Sequence, residues 1–185
     1  MEIMERALDQ IQRLFDGITP EQEHLPTPCR AWDVRQLANH IVGEVHYFAV
    51  VTAGGERKET GEDFLGDDWP AAFRASAGEL RQAWRDPGVA DRMIKLPYAE
   101  VTAEWTAGQQ IAELAVHAWD LATATGRPTD LDPEVGAAAL AWSHDNIRPE
   151  FRGNEADGYH IGPEVTVPDD APLYDRIAAF GGRQP

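Results

Sequence analysis

Late in the 185-residue chain, Glu113-Leu-Ala-Val-His117 places a carboxylate and an imidazole four residues apart. On a helix that spacing projects both heads from one face, a turn apart. Two ligands from one helix can reach a single ion, and a His from a neighbouring helix completes a facial set with positions left open. Two imidazoles and one carboxylate suit zinc, nickel or ferrous iron, and an open position marks a catalytic rather than a structural site. An earlier helical stretch carries His40 at the edge of its apolar stripe, with Glu44 one turn on and sharing its face. The same spacings also fit a solvated surface pair and a hydrogen-bonded core histidine, so spacing alone leaves both readings open.

Several neighbours have a chemical and a bland reading. Asp120, three residues after His117, suits an acceptor in the second layer that orients an imidazole. It equally suits a surface carboxylate, or one that caps or pairs with Arg127. Glu44 reads as an additional ligand or base beside His40. His46 lies about 120° around its helix from His40, at ~100° per residue, and is expected at the solvent or bundle rim. Cys29, in a proline-stiffened approach beside Arg30, reads as a packing residue rather than a nucleophile, because no base is placed near it. Of the six Trp residues most are expected in the core, with Trp119 available to line a pocket. His144 and His160 have no partner that spacing supplies, and no general acid or base is identified.

The elements that must position these groups are mostly helices. Ala7 to Phe15 has helical periodicity and stops near Gly17. Asp33 is an N-cap candidate for a helix from Val34 to about Ala53, with Val34, Leu37, Ala38, Ile41, Val45 and Phe48 on one face. Gly54 to Trp69 reads as a polar surface loop. Pro70 opens a third helix to Trp84, closed by Asp86-Pro87-Gly88. Met93–Tyr98 and Val101–Trp105 read as extended, a short hairpin about Ala99-Glu100 with Pro97 confining its strand to an edge. A fourth helix is expected from Thr106 to about Thr125, a fifth from Asp132-Pro133 to Asn146, and a last short one over Leu173–Phe180. No repeat or linker divides the chain, so one antiparallel helical bundle over residues 1–185 is expected.

Composition narrows the class. The chain carries 16 Lys and Arg against 32 Asp and Glu, a formal net charge of −16. That charge repels nucleic acid and anionic membrane surfaces at long range. With 43% hydrophobic residues the chain can bury a core. Cys29 is the only cysteine, which excludes an intrachain disulfide and a thiolate-rich zinc site. The start, Met1-Glu2-Ile3-Met4-Glu5-Arg6, lacks the basic and then apolar run of a signal peptide. No stretch approaches the ~18 apolar residues of a membrane span. A reducing cytoplasm is the expected setting.

Three motifs carry a resemblance. Thr27-Pro28-Cys29-Arg30-Ala31-Trp32-Asp33-Val34, followed by Leu37-Ala38-Asn39-His40-Ile41-Val42-Gly43, resembles the opening of the mycothiol-dependent maleylpyruvate isomerase-like proteins. Glu113-Leu-Ala-Val-His117-Ala-Trp119-Asp120-Leu121-Ala122 is similar to their second hallmark helix. The close, Val167-Pro168-Asp169-Asp170-Ala171 … Asp175-Arg176 … Gly182-Arg183-Gln184-Pro185, resembles that of a short subgroup. The wider group is the DinB/YfiT-like metal-binding superfamily.

The resemblance implies an all-α, DinB-like four-helix bundle with up-down-down-up connections, a hairpin before the second ligand helix and a small C-terminal helix. It implies a divalent metal, zinc foremost with nickel or iron as alternatives, held by His40, Glu113 and His117. It further implies thiol chemistry, with mycothiol or another low-molecular-weight thiol attacking a small electrophile. The isomerase has an additional C-terminal domain that supplies substrate-binding residues. A chain of 185 residues does not accommodate it, so maleylpyruvate is not the expected electrophile. The rival readings on the same scaffold are a metal-dependent hydrolase and a non-catalytic metal- or small-ligand-binding module. The expected partners are the thiol and the electrophile, with neither nucleic acid nor membrane, in a monomer or homodimer.

Overall fold

A stripe of Met4, Ala7, Leu8, Ile11, Leu14 and Phe15 buries one face of the first helix, α1 (Glu2–Phe15). The computed structural model describes residues 1–30, 32–56, 61–97, 99–154, 157, 159 and 161–185. Helix α1 starts five residues earlier than the periodicity from Ala7 suggests. Met4 extends the apolar stripe, and Glu2 and Glu5 complement the positive end of the helix dipole.

Helix α2 (Val34–Thr52) begins at the expected cap. The Asp33 carboxylate accepts from the Gln36 amide at 2.8 Å, and the Gln36 side chain accepts from Asp33 N–H at 3.0 Å. This reciprocal box satisfies two otherwise open donors and fixes where the helix starts. Helix α3 (Trp69–Trp84) is capped by Asp68, which accepts from Ala71 N–H, with Pro70 in its first turn.

Strands β1 (Met93–Lys95) and β2 (Glu100–Thr102) pair antiparallel with Ile94 opposite Val101. The hairpin is therefore present, although Tyr98 lies outside the described residues. Its second strand is shorter than expected, and helix α4 (Ala103–Ala124) starts at Ala103. The alternation of Val101, Ala103 and Trp105 imitates a strand. Thr102 decides otherwise: its hydroxyl accepts from Trp105 N–H at 3.1 Å and nucleates the helix there. Helix α5 (Pro133–Asn146) runs as its Asp132-Pro133 signal predicts, and α6 (Leu173–Phe180) spans the expected residues.

Side-chain contacts fix the helix directions. Arg81 of α3 reaches Glu5 and Asp9 of α1, while Gln12 of α1 reaches the Pro70 carbonyl, so α1 and α3 are antiparallel. Arg35 lies over the Trp69 ring and His46 meets Glu79, so α2 and α3 are parallel. Gln22 donates to the Thr125 carbonyl and Arg127 to the Gly17 carbonyl, which brings the ends of α1 and α4 together. The His40 ring, in the first half of α2, meets the His117 ring, in the second half of α4. The connections are thus up-down-down-up.

The core is filled by Leu8, Ile11, Phe15, Leu37, Ile41, Phe48, Phe73, Leu80 and Leu121, all nearly inaccessible. Helices α5 and α6 cover the outer side of α4. Of the six Trp residues, only Trp119 is fully buried, and the others pack on the core from its rim. The Trp119 indole N–H donates to Asp175 of α6 at 2.9 Å, which ties α4 to the last helix. The loop before α3 is also less superficial than its polarity suggests. Leu65 is buried, and Phe64 N–H donates to the Asn39 side chain at 2.7 Å.

Candidate metal centre

The approach to α2 is built before the helix starts. The Thr27 hydroxyl lies 2.8 Å from the Cys29 carbonyl and 2.7 Å from that of Trp32, and Trp32 N–H donates to the Cys29 carbonyl. This tight turn throws the Trp32 indole back over α2. There it stacks on the His40 ring, with centroids 4.3 Å apart and planes 30° apart. The His40 ring in turn meets His117 of α4 edge-on at 5.1 Å.

Glu113, one turn before His117, completes the cluster. One ligand atom from each of His40, Glu113 and His117 lies within 4.8 Å of the others. These are the three residues singled out from the sequence. Side-chain rotation is enough to bring such donors onto a shared ion, whose bonds to N and O are ~2.0–2.2 Å. Among the described residues they are the group that can hold a metal ion in this way. His117 is buried, while His40 and Glu113 are half-buried.

Behind His117 stands a buried charge network. Its Nδ1 lies 3.1 Å from Asp120 Oδ2, and Asp120 is fully buried. With Nδ1–H donating to the carboxylate, Nε2 keeps its lone pair for a cation. The two oxygens of Asp120 also accept from Arg183 Nε at 3.1 Å and Nη2 at 2.9 Å. Burial alone would push the Asp120 carboxyl up. The hydrogen bond from His117 and the adjacent Arg183 guanidinium outweigh it and hold the group below the usual carboxylate range. Asp120 is therefore neither exposed nor paired with Arg127, whose guanidinium serves the Gly17 carbonyl instead.

The other candidates fall away from the cluster. Glu44 is half-buried on α2 and lines the cleft beside His40, outside the three converging donors. His46 sits at the α2–α3 rim, 2.6 Å from Glu79. Cys29 is half-buried and within the electrostatic reach of Arg183. His144 is exposed beside the Phe180 ring, and His160 lies outside the described residues. A cleft of about 980 Å³ runs along α2 and reaches the cluster from the His40 side. Trp32, Gln36, Asn39, Glu44 and Phe64 are among its walls.

Two site features escape sequence reasoning. Trp32 belongs to a recognisable motif, but its stacking on His40 depends on the contacts of Thr27 and Cys29 with the Trp32 backbone. Arg183 also lies in a quoted motif, yet 63 residues separate it from Asp120 and no periodicity links them.

Fold and cluster together define a helical-bundle protein with a facial His–His–Glu set able to hold a divalent ion. The chain belongs to the mycothiol maleylpyruvate isomerase N-terminal domain family, whose sequence profile matches residues 4–122. It is 34% identical over 179 residues to an uncharacterized protein of Mycobacterium tuberculosis strain CDC 1551 / Oshkosh, and equally to one of strain H37Rv. Each match covers 97% of this chain and 94% of the relative. No solved structure matches the chain significantly. No helix among the described residues is long and apolar enough to cross a membrane.

Proposed function

We propose that this protein is a metal-dependent thiol S-transferase or isomerase that joins a low-molecular-weight thiol of the mycothiol type to a small electrophile. The observation that carries the reading is the convergence of His40, Glu113 and His117, with His40 lining a cleft, in a chain of this family. His40, Glu113 and His117 are the ligands, and zinc suits their borderline donor set. When bound there, a divalent cation supplies Lewis acidity that lowers the pKa of a thiol reaching it.

The chain's own residues do the rest. Asp120 holds the His117 imidazole in the tautomer that presents Nε2. Trp32 keeps the His40 ring in one plane by stacking on it. Glu44, on the cleft side of His40, takes the thiol proton. The sulfur lone pair then forms the new bond to the electrophilic carbon, and the displaced bond pair leaves with the leaving group or moves into the conjugated system. The cleft walls set the rings of Trp32 and Phe64 beside the carboxylates of Glu44, Glu56, Glu62 and Asp63, which suits a polyhydroxylated thiol better than an anionic one.

The test is consumption of an electrophilic probe such as a chlorobimane by the zinc-loaded protein with mycothiol, glutathione or bacillithiol. Thiol-dependent turnover that His40→Ala abolishes supports the reading. Product formed equally well without thiol overturns it in favour of a hydrolase, and no turnover with any thiol overturns it in favour of a binding module.

A further inference from the structure

The C-terminal turn carries a residue whose contacts lead directly to the metal cluster. Helix α6 ends at Phe180, and Gly182 adopts φ +86°, a conformation that favours glycine. A Cβ at Gly182 would meet the Gly162 backbone at 2.6 Å, so this close passage also requires glycine. The turn sends Arg183 back under α4. Its backbone N–H donates to the Ala178 carbonyl and its Nη1 to the Gly181 carbonyl, each at 2.9 Å. The remaining fork, Nε and Nη2, grips both oxygens of Asp120. The Arg183 side chain is 10% exposed and that of Asp120 not at all.

These contacts leave Asp120 no freedom of its own. A bidentate fork fixes the plane of a carboxylate as well as its position. No solvent reaches Asp120, so without the guanidinium nothing on that side holds the plane of its carboxylate. The carboxylate then no longer presents the oriented acceptor that fixes the His117 tautomer.

We propose that Arg183 is a positioning residue for the metal centre. By clamping Asp120 it sets the orientation and tautomer of His117, and hence how tightly His40, Glu113 and His117 hold a divalent cation. The assignment rests on the metal-site reading above, and it makes the C-terminal turn part of the site.

The test measures zinc affinity by chelator competition for the full-length wild type, Arg183→Gln, Arg183→Lys, Asp120→Asn, the Asp120→Asn/Arg183→Gln double variant and His117→Ala. Histidine ring nitrogen NMR on the metal-free proteins accompanies it. Arg183→Gln is expected to weaken zinc binding by ~10–100-fold, the range for outer-layer partners of metal ligands. Arg183→Lys recovers part of that loss, since it restores the charge without the fork. The double variant binds no more weakly than Asp120→Asn alone, because Arg183 acts through Asp120. In the metal-free protein the Nδ1–H signature of His117 is lost in Arg183→Gln. Zinc affinity in Arg183→Gln equal to wild type, or independent losses that add in the double variant, overturns the assignment. Should Arg183→Gln fail to fold, Arg183→Lys and the Asp120→Asn pair carry the same comparison. Wild-type protein that binds no zinc overturns the metal reading with it. Binding that His117→Ala abolishes and Arg183→Gln leaves intact overturns the Arg183 role alone.

Discussion

Two carboxylate–imidazole pairs in this molecule have nearly the same composition and different consequences. At the α2–α3 rim, His46 lies 2.6 Å from Glu79, with side chains 41% and 53% exposed. At the α2–α4 end, His117 lies 3.1 Å from Asp120, with side chains 9% and 0% exposed. The rim pair is the shorter, yet water and salt screen it, and such pairs contribute about 0–1 kcal/mol. The inner pair is desolvated, so Asp120 requires Arg183 as a second partner, and the three groups become one unit with a fixed orientation. Burial, more than pairing distance, separates a surface contact from a framework for chemistry. The point recurs along α2, where His40 and His46 lie on one helix and only His40 is stacked on Trp32 and aimed at a partner histidine.

The largest effect that follows is on stability. Asp120→Ala strands Nε and Nη2 of Arg183 and the His117 N–H without an acceptor, and breaking such a buried pair costs about 3–5 kcal/mol. Urea unfolding of the metal-free protein measures it, and a loss no larger than that of a surface variant would break the comparison.

Tyr174 asks whether burial has the same force away from the metal cluster. Its hydroxyl lies 2.9 Å from the Asp132 carbonyl and 3.1 Å from the Gln10 side chain. Burial, reinforced by the charge of Asp132 and opposed by Gln10, pushes the phenol up to about 12. A folded pKa above the unfolded value of ~10 stabilises the protein fully below pH ~10, and the stabilisation is lost as pH rises towards 12. At ~1.4 kcal/mol per pKa unit the decline amounts to roughly 2–3 kcal/mol. Unfolding free energies at alkaline pH should show it in the wild type and lack it in Tyr174→Phe.

Trp32→Ala sharpens the contrast along α2. Losing the stack on His40 is expected to cost ~0.5–1.5 kcal/mol, about a two- to tenfold weakening of zinc binding. Competition titration reads it directly. The smallest effect belongs to Glu79→Gln, which should change unfolding free energy by less than ~1 kcal/mol and leave zinc affinity as it was.

Much of this was legible in the residues themselves. Asp33, Asp132-Pro133 and the glycines after α2 and α4 carry strong boundary signals, and the helices begin or end beside them. The i, i+4 pair Glu113–His117 needs only a helix to project from one face, and the partner His40 sits on the one other helix with the matching edge position. What stayed hidden depends on tertiary placement. Thr102 overrides an alternating pattern that imitates a strand, and Phe64 and Leu65 anchor a loop whose composition reads as solvated. Asp120 was ambiguous because its environment depends on Arg183, brought back by a turn that packs against Gly162 far away in the sequence. Contacts that close over such separations leave no periodic trace.

The most direct test is a zinc titration of the metal-free protein followed by calorimetry, with His40→Ala, His117→Ala and Glu79→Gln alongside. The expected result is one tightly bound ion per chain in the wild type and in Glu79→Gln, and loss of that binding in both histidine variants. Zinc bound equally by the wild type and His117→Ala, or by neither, would contradict it.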